Sequence, residues 1–571
     1  MQESWSGIAR RFRIFATPIA CAVLAVATAV GQSTPARPPS EALLGDILSY
    51  IHTGWDSLTR STTSCSGISD PKLSAPPVLY LPAGFSKPDD VKQMQQQCAV
   101  TVSTLRTVTH NAASSNLDEI QPAGLLYLPN KYVVPGGRFN EMYGWDSYFI
   151  IRGLLRDGRL DLARGMVENF FFEIEHYGAV LNANRTYYLT RSQPPFLSSM
   201  VMAVHEAEKK AGRNDQAWLA GAYGYVKRDH DMWIQVPHLA GNTGLSRYYD
   251  FGEGPAMEAL QDENDIYRQV AAYFLIHPTM PPLTAQESDI PAGRASGSAY
   301  ALKVCHTTET QASPCEPERR IKLKPDYYKG DRSMRESGFD ISFRFGPYGA
   351  GTHHYAPVCL NSLLFKTERD LATMSRILGK VSDATHWQRL AESRKIAMQQ
   401  YLWDEKQGLF SDYNFETNQG SDYRYATTFY PLWAGLATDG QARAVMKNLH
   451  LFEQSGGLAM SLRESQGQWD YPFGWAPIQL LAIEGMRHYK FNTDADRVSA
   501  EFLSTVLQNF ARDKTIREKY NVVTRSSETQ VTAGYSANVI GFGWTNAAFV
   551  ELLNSLPKEK ADQLSASVAR Q

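Results

Sequence analysis

Cysteine is scarce in this chain, six in 571 residues, and neither a CxxC step nor a Cys/His spacing suited to a metal occurs anywhere. An excess of one charge is also lacking. Lys and Arg number 57 against 59 Asp and Glu, a net charge of −2, which leaves no electrostatic footprint for nucleic acid. A neutral partner fits better. Beyond Val30 no second long apolar run occurs, so the rest of the chain offers no membrane span. Alternating strand patterns are few. What is present is a globular balance, 43% hydrophobic and 20% charged residues, which excludes disorder, collagen and coiled coil as whole-chain descriptions. Aromatics reach 11%, with 11 Trp and 29 Tyr, as suits a large core or a sugar-binding cleft.

The first segment reads as an address. Arg10, Arg11 and Arg13 precede the apolar run Ile14–Val30, about 17 residues, with small residues at its exit. This is the pattern of a secretory signal peptide over 1–31, with a membrane anchor as the other reading. It predicts a periplasmic or secreted protein, a monomer without membrane attachment after cleavage. Export would permit disulfides. Of the five remaining cysteines, Cys305–Cys315 is the preferred pair, Cys65–Cys98 a second, and Cys359 a buried free thiol.

Helical spacing dominates the rest of the chain. Leu160–Tyr177 places Leu162, Met166, Phe170, Phe171 and Ile174 at helical intervals. Phe196–Ala211, Gln216–Val226, Val358–Leu378, Trp387–Leu402, Trp475–Tyr489, Ala500–Phe510 and Phe542–Leu556 read alike. Glycines punctuate at Gly158, Gly212 and Asp439–Gly440. The division is an N-terminal extension over 32–118, partly helical, a helical domain over 119–560, and a tail over 561–571. Residues 282–332 lack helical periodicity and read as an insertion; loops that long are usually functional. The fold class is all-α, and helices in succession suggest a closed ring of hairpins. His353–His354 is a pair without spaced partners, the pattern of a polar or satisfied pair, and no metal or cofactor is expected.

Three clusters carry chemistry. Pro135–Tyr148 holds adjacent glycines, Arg138, Phe139, Tyr143, Trp145 and Asp146. Asn182–Phe196 adds Asn182, Arg191, Ser192 and Gln193, and Gln468–Pro477 adds Trp469. Arginine forks and carboxylates suit vicinal hydroxyls, and indole plates suit the C–H faces of sugars. The ligand these side chains suit is polyhydroxylated and neutral.

The first and third clusters resemble the two signatures of the trehalase family of glycoside hydrolases. Similar blocks are Tyr187–Phe196, Pro357–Lys366, Tyr401–Asp404 and Gly541–Asn546, so the likeness runs from about 120 to 556. It implies an (α/α)6 barrel with long loops at the active-site end. It also implies inverting hydrolysis of a small disaccharide, α,α-trehalose, to two glucoses without metal or cofactor. Arg335–Phe345 matches the stretch that holds the family's general acid, which makes Asp340 the acid, with Phe339 in place of Trp. Arg138, Phe139, Tyr143, Trp145, Asp146, Asn182, Arg191, Ser192, Gln193, Glu258, Gly338 and Trp469 carry over as substrate-binding. Two positions depart. Ala256 stands where the family has arginine beside Glu258, and Tyr535 stands where the resemblance puts the base glutamate, six residues before Gly541. Glu528, the sole acid of that loop downstream of Glu518, is therefore assigned the base; a solvated loop residue is the other reading. The alternatives for function are a binding-only pseudoenzyme and a hydrolase of a different α-glucoside.

Overall fold

The computed structural model describes residues 39–68, 76–106, 120–263, 265–304, 307–308, 311–312, 315–535 and 538–568. The helices that build the frame are α1 (Pro39–Leu58), α2 (Gly144–Arg156), α3 (Leu160–His176), α4 (Leu197–Lys210), α5 (Gln216–Trp233), α6 (Pro325–Glu336) and α7 (Val358–Ile377). They continue with α8 (Val381–Tyr401), α9 (Tyr430–Trp433), α10 (Asp439–Lys447), α11 (Ala476–His488), α12 (Asn492–Asp513), α13 (Gly543–Ser555) and α14 (Lys558–Val568). Six of them, α2, α4, α7, α9, α11 and α13, touch in succession, and α13 returns to α2. This closed inner circle, with partner helices outside it, is an (α/α)6 barrel.

Burial follows from position in the ring. The outer helix α3 buries one stripe, including Leu160, Ala163, Met166, Val167, Phe170, Phe171 and Ile174. The inner helix α2 is buried on every side from Gly144 to Ile151, because it is flanked by the barrel axis and by outer helices at once. Gly158 and Gly212 end α2 and α4 at φ +71° and +77°, the left-handed turn that glycine adopts without strain. Asp439–Gly440 does not punctuate as expected. It opens α10, where the Thr438 side chain accepts from the Gln441 N–H and Gln441 reciprocates in a capping box.

Several expected boundaries move. The N-terminal extension contributes α1 to the barrel itself, where it packs on α12, α13 and α14. Among its other described residues, Val78–Leu81 and Thr101–Thr104 are two strands of a parallel sheet completed by Leu125–Leu126 of the helical domain, and Cys65–Cys98 is a disulfide. Residues 561–568 of the expected tail belong to α14, which lies against α12 and α1. The insertion holds an antiparallel sheet of Thr284–Gln286, Arg319–Leu323 and Tyr300–Leu302, but α6 already begins at Pro325. Cys315 is disulfide-bonded while Cys305, its expected partner, lies outside the described residues; Cys359 is free and buried. The apolar run Ile14–Val30 also lies outside them. Among the described residues no helix is long and apolar enough to cross a membrane.

Candidate active site

The segments feeding the inner helices gather at one end of the barrel and enclose a pocket. It holds about 720 Å3 of empty space, the solvent at its mouth included. Tyr143, Trp145 and Asp146 enter from the start of α2, and Gln193 from the segment before α4. Gly338 and Asp340 come from the connection between α6 and α7, Trp469 precedes α11, and Phe542 and Trp544 sit at the start of α13. Arg138, Phe139, Asn182, Arg191 and Glu258 complete the set read from the sequence.

The aromatic wall is built by close packing. Trp469 stacks on Trp475 with centroids 3.8 Å apart and 7° between planes, and Trp145 lies 5.7 Å from Trp469. Phe339, which replaces the family's Trp, stands edge-on to Trp469 at 5.2 Å and to Trp145 at 5.6 Å, so the wall is continuous there. Gly338 has φ +76°, and a Cβ on it would lie 2.9 Å from the Trp145 indole. Only glycine lets the acid-bearing strand of chain pass this close.

The charged groups are arranged in two sets. Arg191 Nε donates to Asp250 Oδ2 at 2.8 Å and Nη1 pairs with Glu258, while Arg191 Nη2 and Glu258 Oε2 are buried without a protein partner. In a pocket for a polyol those are free hands for hydroxyls. Arg335 forks onto Glu263 at 2.5 and 2.9 Å and reaches Asp331 at 3.1 Å, and both Arg335 and Glu263 line the pocket. Burial raises the Asp340 carboxyl to about 7, with Glu263 and Glu258 adding to the rise and Arg335 opposing it. Its backbone oxygen accepts from Gln468 Nε2 at 2.6 Å. Asp146 is pushed well above the usual range by burial and by Glu518 and Asp340 nearby.

Two expected residues are not in the pocket. Ser192 is buried behind it, its Oγ donating to the Val180 carbonyl and its N–H to Glu336. Glu528 is the larger correction. Its side chain is 81% exposed and pairs with Arg512 at 3.3 Å on the outer surface. The reason lies in the strands: Lys519–Asn521 pairs with Phe473–Trp475, and the chain then turns back at Asn521–Ser526 before reaching 528. That pairing brings Glu518 into the pocket instead, 1% exposed, with its N–H on the Val539 carbonyl. Tyr535 Oη donates to Glu518 Oε1, and Lys519 Nζ lies 3.5 Å from Glu518 Oε2 and 3.0 Å from Gln468 Oε1. A hydrogen-bonded chain thus runs from Tyr535 through Glu518, Lys519 and Gln468 to the backbone of Asp340. In the sequence Glu518 marks only the upstream limit of the loop that holds Glu528; nothing local distinguishes it. Glu263 is a further lining residue outside every motif, while Arg335 and Tyr188 line the pocket from within matched blocks without having been assigned to it.

The family model described as Trehalase matches residues 69–557. A "Probable trehalase" of Eremothecium gossypii is 35% identical over 87% of this chain and 71% of its own. A "Cytosolic neutral trehalase" of Neurospora crassa is 36% identical over 73% of this chain and 57% of its own, so this chain spans little more than half of that relative. Among solved structures, "Neutral trehalase Nth1 from Saccharomyces cerevisiae" superposes with a TM-score of 0.73 at 30% identity, covering 93% of this chain and 96% of that one. The cytosolic relative overturns the expectation of a periplasmic or secreted protein, which rested on the basic start, the run Ile14–Val30 and the small residues at its exit.

Proposed function

The chain belongs to the trehalase family, and on that premise we propose that the pocket hydrolyses α,α-trehalose to two glucoses with inversion. Asp340 is the general acid and Glu518 the general base. The observation that carries this reading is the contrast between two buried carboxyls in one pocket. Asp340 is raised to about 7 by burial, so a large share of it still holds, at neutral pH, the proton to give to the glycosidic oxygen. Glu518 accepts from Tyr535 and faces Lys519, the company of a carboxylate ready to take a proton from water. Arg138, Arg191 and Glu258 supply hydroxyl contacts, and Trp145 and Trp469 the apolar plates. The binding-only alternative rested on the want of a second acid, and Glu518 supplies one.

Single variants Asp340→Asn and Glu518→Gln are each expected to lower kcat for trehalose by about 10²–10⁴-fold, the usual worth of positioned proton transfer. Glucose release, followed by proton NMR before mutarotation, should give one α and one β product. Wild-type turnover by either variant, or two α products, would remove the corresponding assignment.

A further inference from the structure

His353 and His354 have no spaced partner in the sequence, but the fold supplies one. Asp326 stands in the first turn of α6, and α6 packs against the turn Thr352–His354. His353 Nε2 lies 3.0 Å and His354 Nε2 3.8 Å from Asp326 Oδ1, and one ligand atom from each residue falls within 4.8 Å of the other two. None of the three lines the sugar pocket. We propose that Asp326, His353 and His354 form a site for one divalent cation of the zinc class.

Three observations bear on this. First, ligands about 2.0–2.1 Å from a tetrahedral zinc stand roughly 3.3 Å from one another, and the two separations of 3.0 and 3.8 Å bracket that edge. The third separation, between the ligand atoms of the two imidazoles, lies within 4.8 Å, so the cluster closes on an ion by small movements of its side chains. Second, two imidazoles and one carboxylate are the donors of zinc and its neighbours; calcium and magnesium favour oxygen alone. Third, the site is anchored on one side and open on the other. His353 is 5% exposed and its backbone oxygen accepts from Arg247 at 2.8 Å, whereas the side chains of His354 and Asp326 are 32% and 49% exposed. An ion has an entry path, and water has the fourth position. The two rings lie 3.8 Å apart between centroids, so a single ion can be shared by both and by the carboxylate. It would also tie the first turn of α6 to the far end of the segment that carries Asp340.

The test uses the full chain, stripped with chelator and titrated with ZnCl2 in a calorimeter, beside Asp326→Asn and His354→Ala. Both substitutions are at part-exposed positions, and melting without metal confirms that each variant is folded. The expected result is saturable binding of one equivalent by the wild type, a higher Tm with zinc, and at least about tenfold weaker binding in both variants. Cobalt in place of zinc should give the intense visible bands of a tetrahedral ion in the wild type only. The proposal is overturned if the wild type takes up no equivalent of zinc, or if folded variants bind it as tightly.

Discussion

Tyr535 occupies the position where the family resemblance expects a glutamate, and in the fold its hydroxyl reaches Glu518, the carboxylate proposed as the base. Its ring also lies 4.4 Å from Lys519 Nζ and 5.1 Å from the Arg138 guanidinium. The residue thus holds Glu518 by one hydrogen bond and packs the cations around it by its face. Tyr535→Phe keeps the face and removes the bond. A hydrogen bond to a charged group contributes about 1.5–3 kcal/mol net, so kcat should fall about tenfold or more, with KM changing much less. Steady-state kinetics on trehalose checks this; an unchanged kcat would mean that Glu518 is oriented without the phenol. Trp145, Asp146 and Asp340 could be read from motifs because each sits in a run of unusual composition. Glu518 could not, because the pairing that aims it joins segments some fifty residues apart.

At the scale of elements, α6 shows why periodicity failed between 325 and 332. Its buried face is charged: Asp331, Arg332, Arg335 and Glu336 are all inside, so a search for apolar spacing passes over it. Proline in its first turn was the remaining signal. The helix is tied to the segment before it by the Arg335–Glu263 fork, and removal of one partner from a buried pair costs about 3–5 kcal/mol. Glu263→Gln should therefore lower stability toward the smaller end of that range, since the amide keeps a hydrogen bond. It should also change the pH profile. With protonated Asp340 as the proposed acid, the alkaline limb of kcat/KM falls as pH rises through about 7. Glu263 adds to that raised value and Arg335 opposes it, so a neutral residue at 263 leaves Arg335 unbalanced and lowers it. The decline in kcat/KM should start at a lower pH than in the wild type. A decline that stays in place would sever Glu263 from the acid.

For the whole molecule, the consequential step is closure of the ring. The helix α1 packs on α12, α13 and α14, and so joins the first described helix to the last. Trp55 is its deepest anchor: fully buried, in contact with α2 at Gly153, and with its indole N–H on Asp157 at 2.7 Å. Trp55→Ala should cost about 3–5 kcal/mol, as large-to-small changes in cores do. Equilibrium denaturation gives the figure. A loss below about 0.5 kcal/mol, the scale of surface substitutions, would show that α1 rests on the barrel without securing it.

Sequence by itself determined the class of fold and most of the pocket wall. Helical spacing survives wherever a helix has one apolar face, and a loop that must hold sugar concentrates Trp, Tyr, Arg and Asp within a few residues. It also brought Asp340, the proposed acid, to the pocket together with Gly338, because the two lie within one short turn. Tertiary structure alone decided what depends on separate segments meeting: Glu518 in the pocket and Glu528 at the surface, Arg335 on Glu263, and Asp326 beside His353 and His354. A carboxylate's role follows from what surrounds it, through desolvation and neighbouring charge, and those surroundings exist only once the ring has closed.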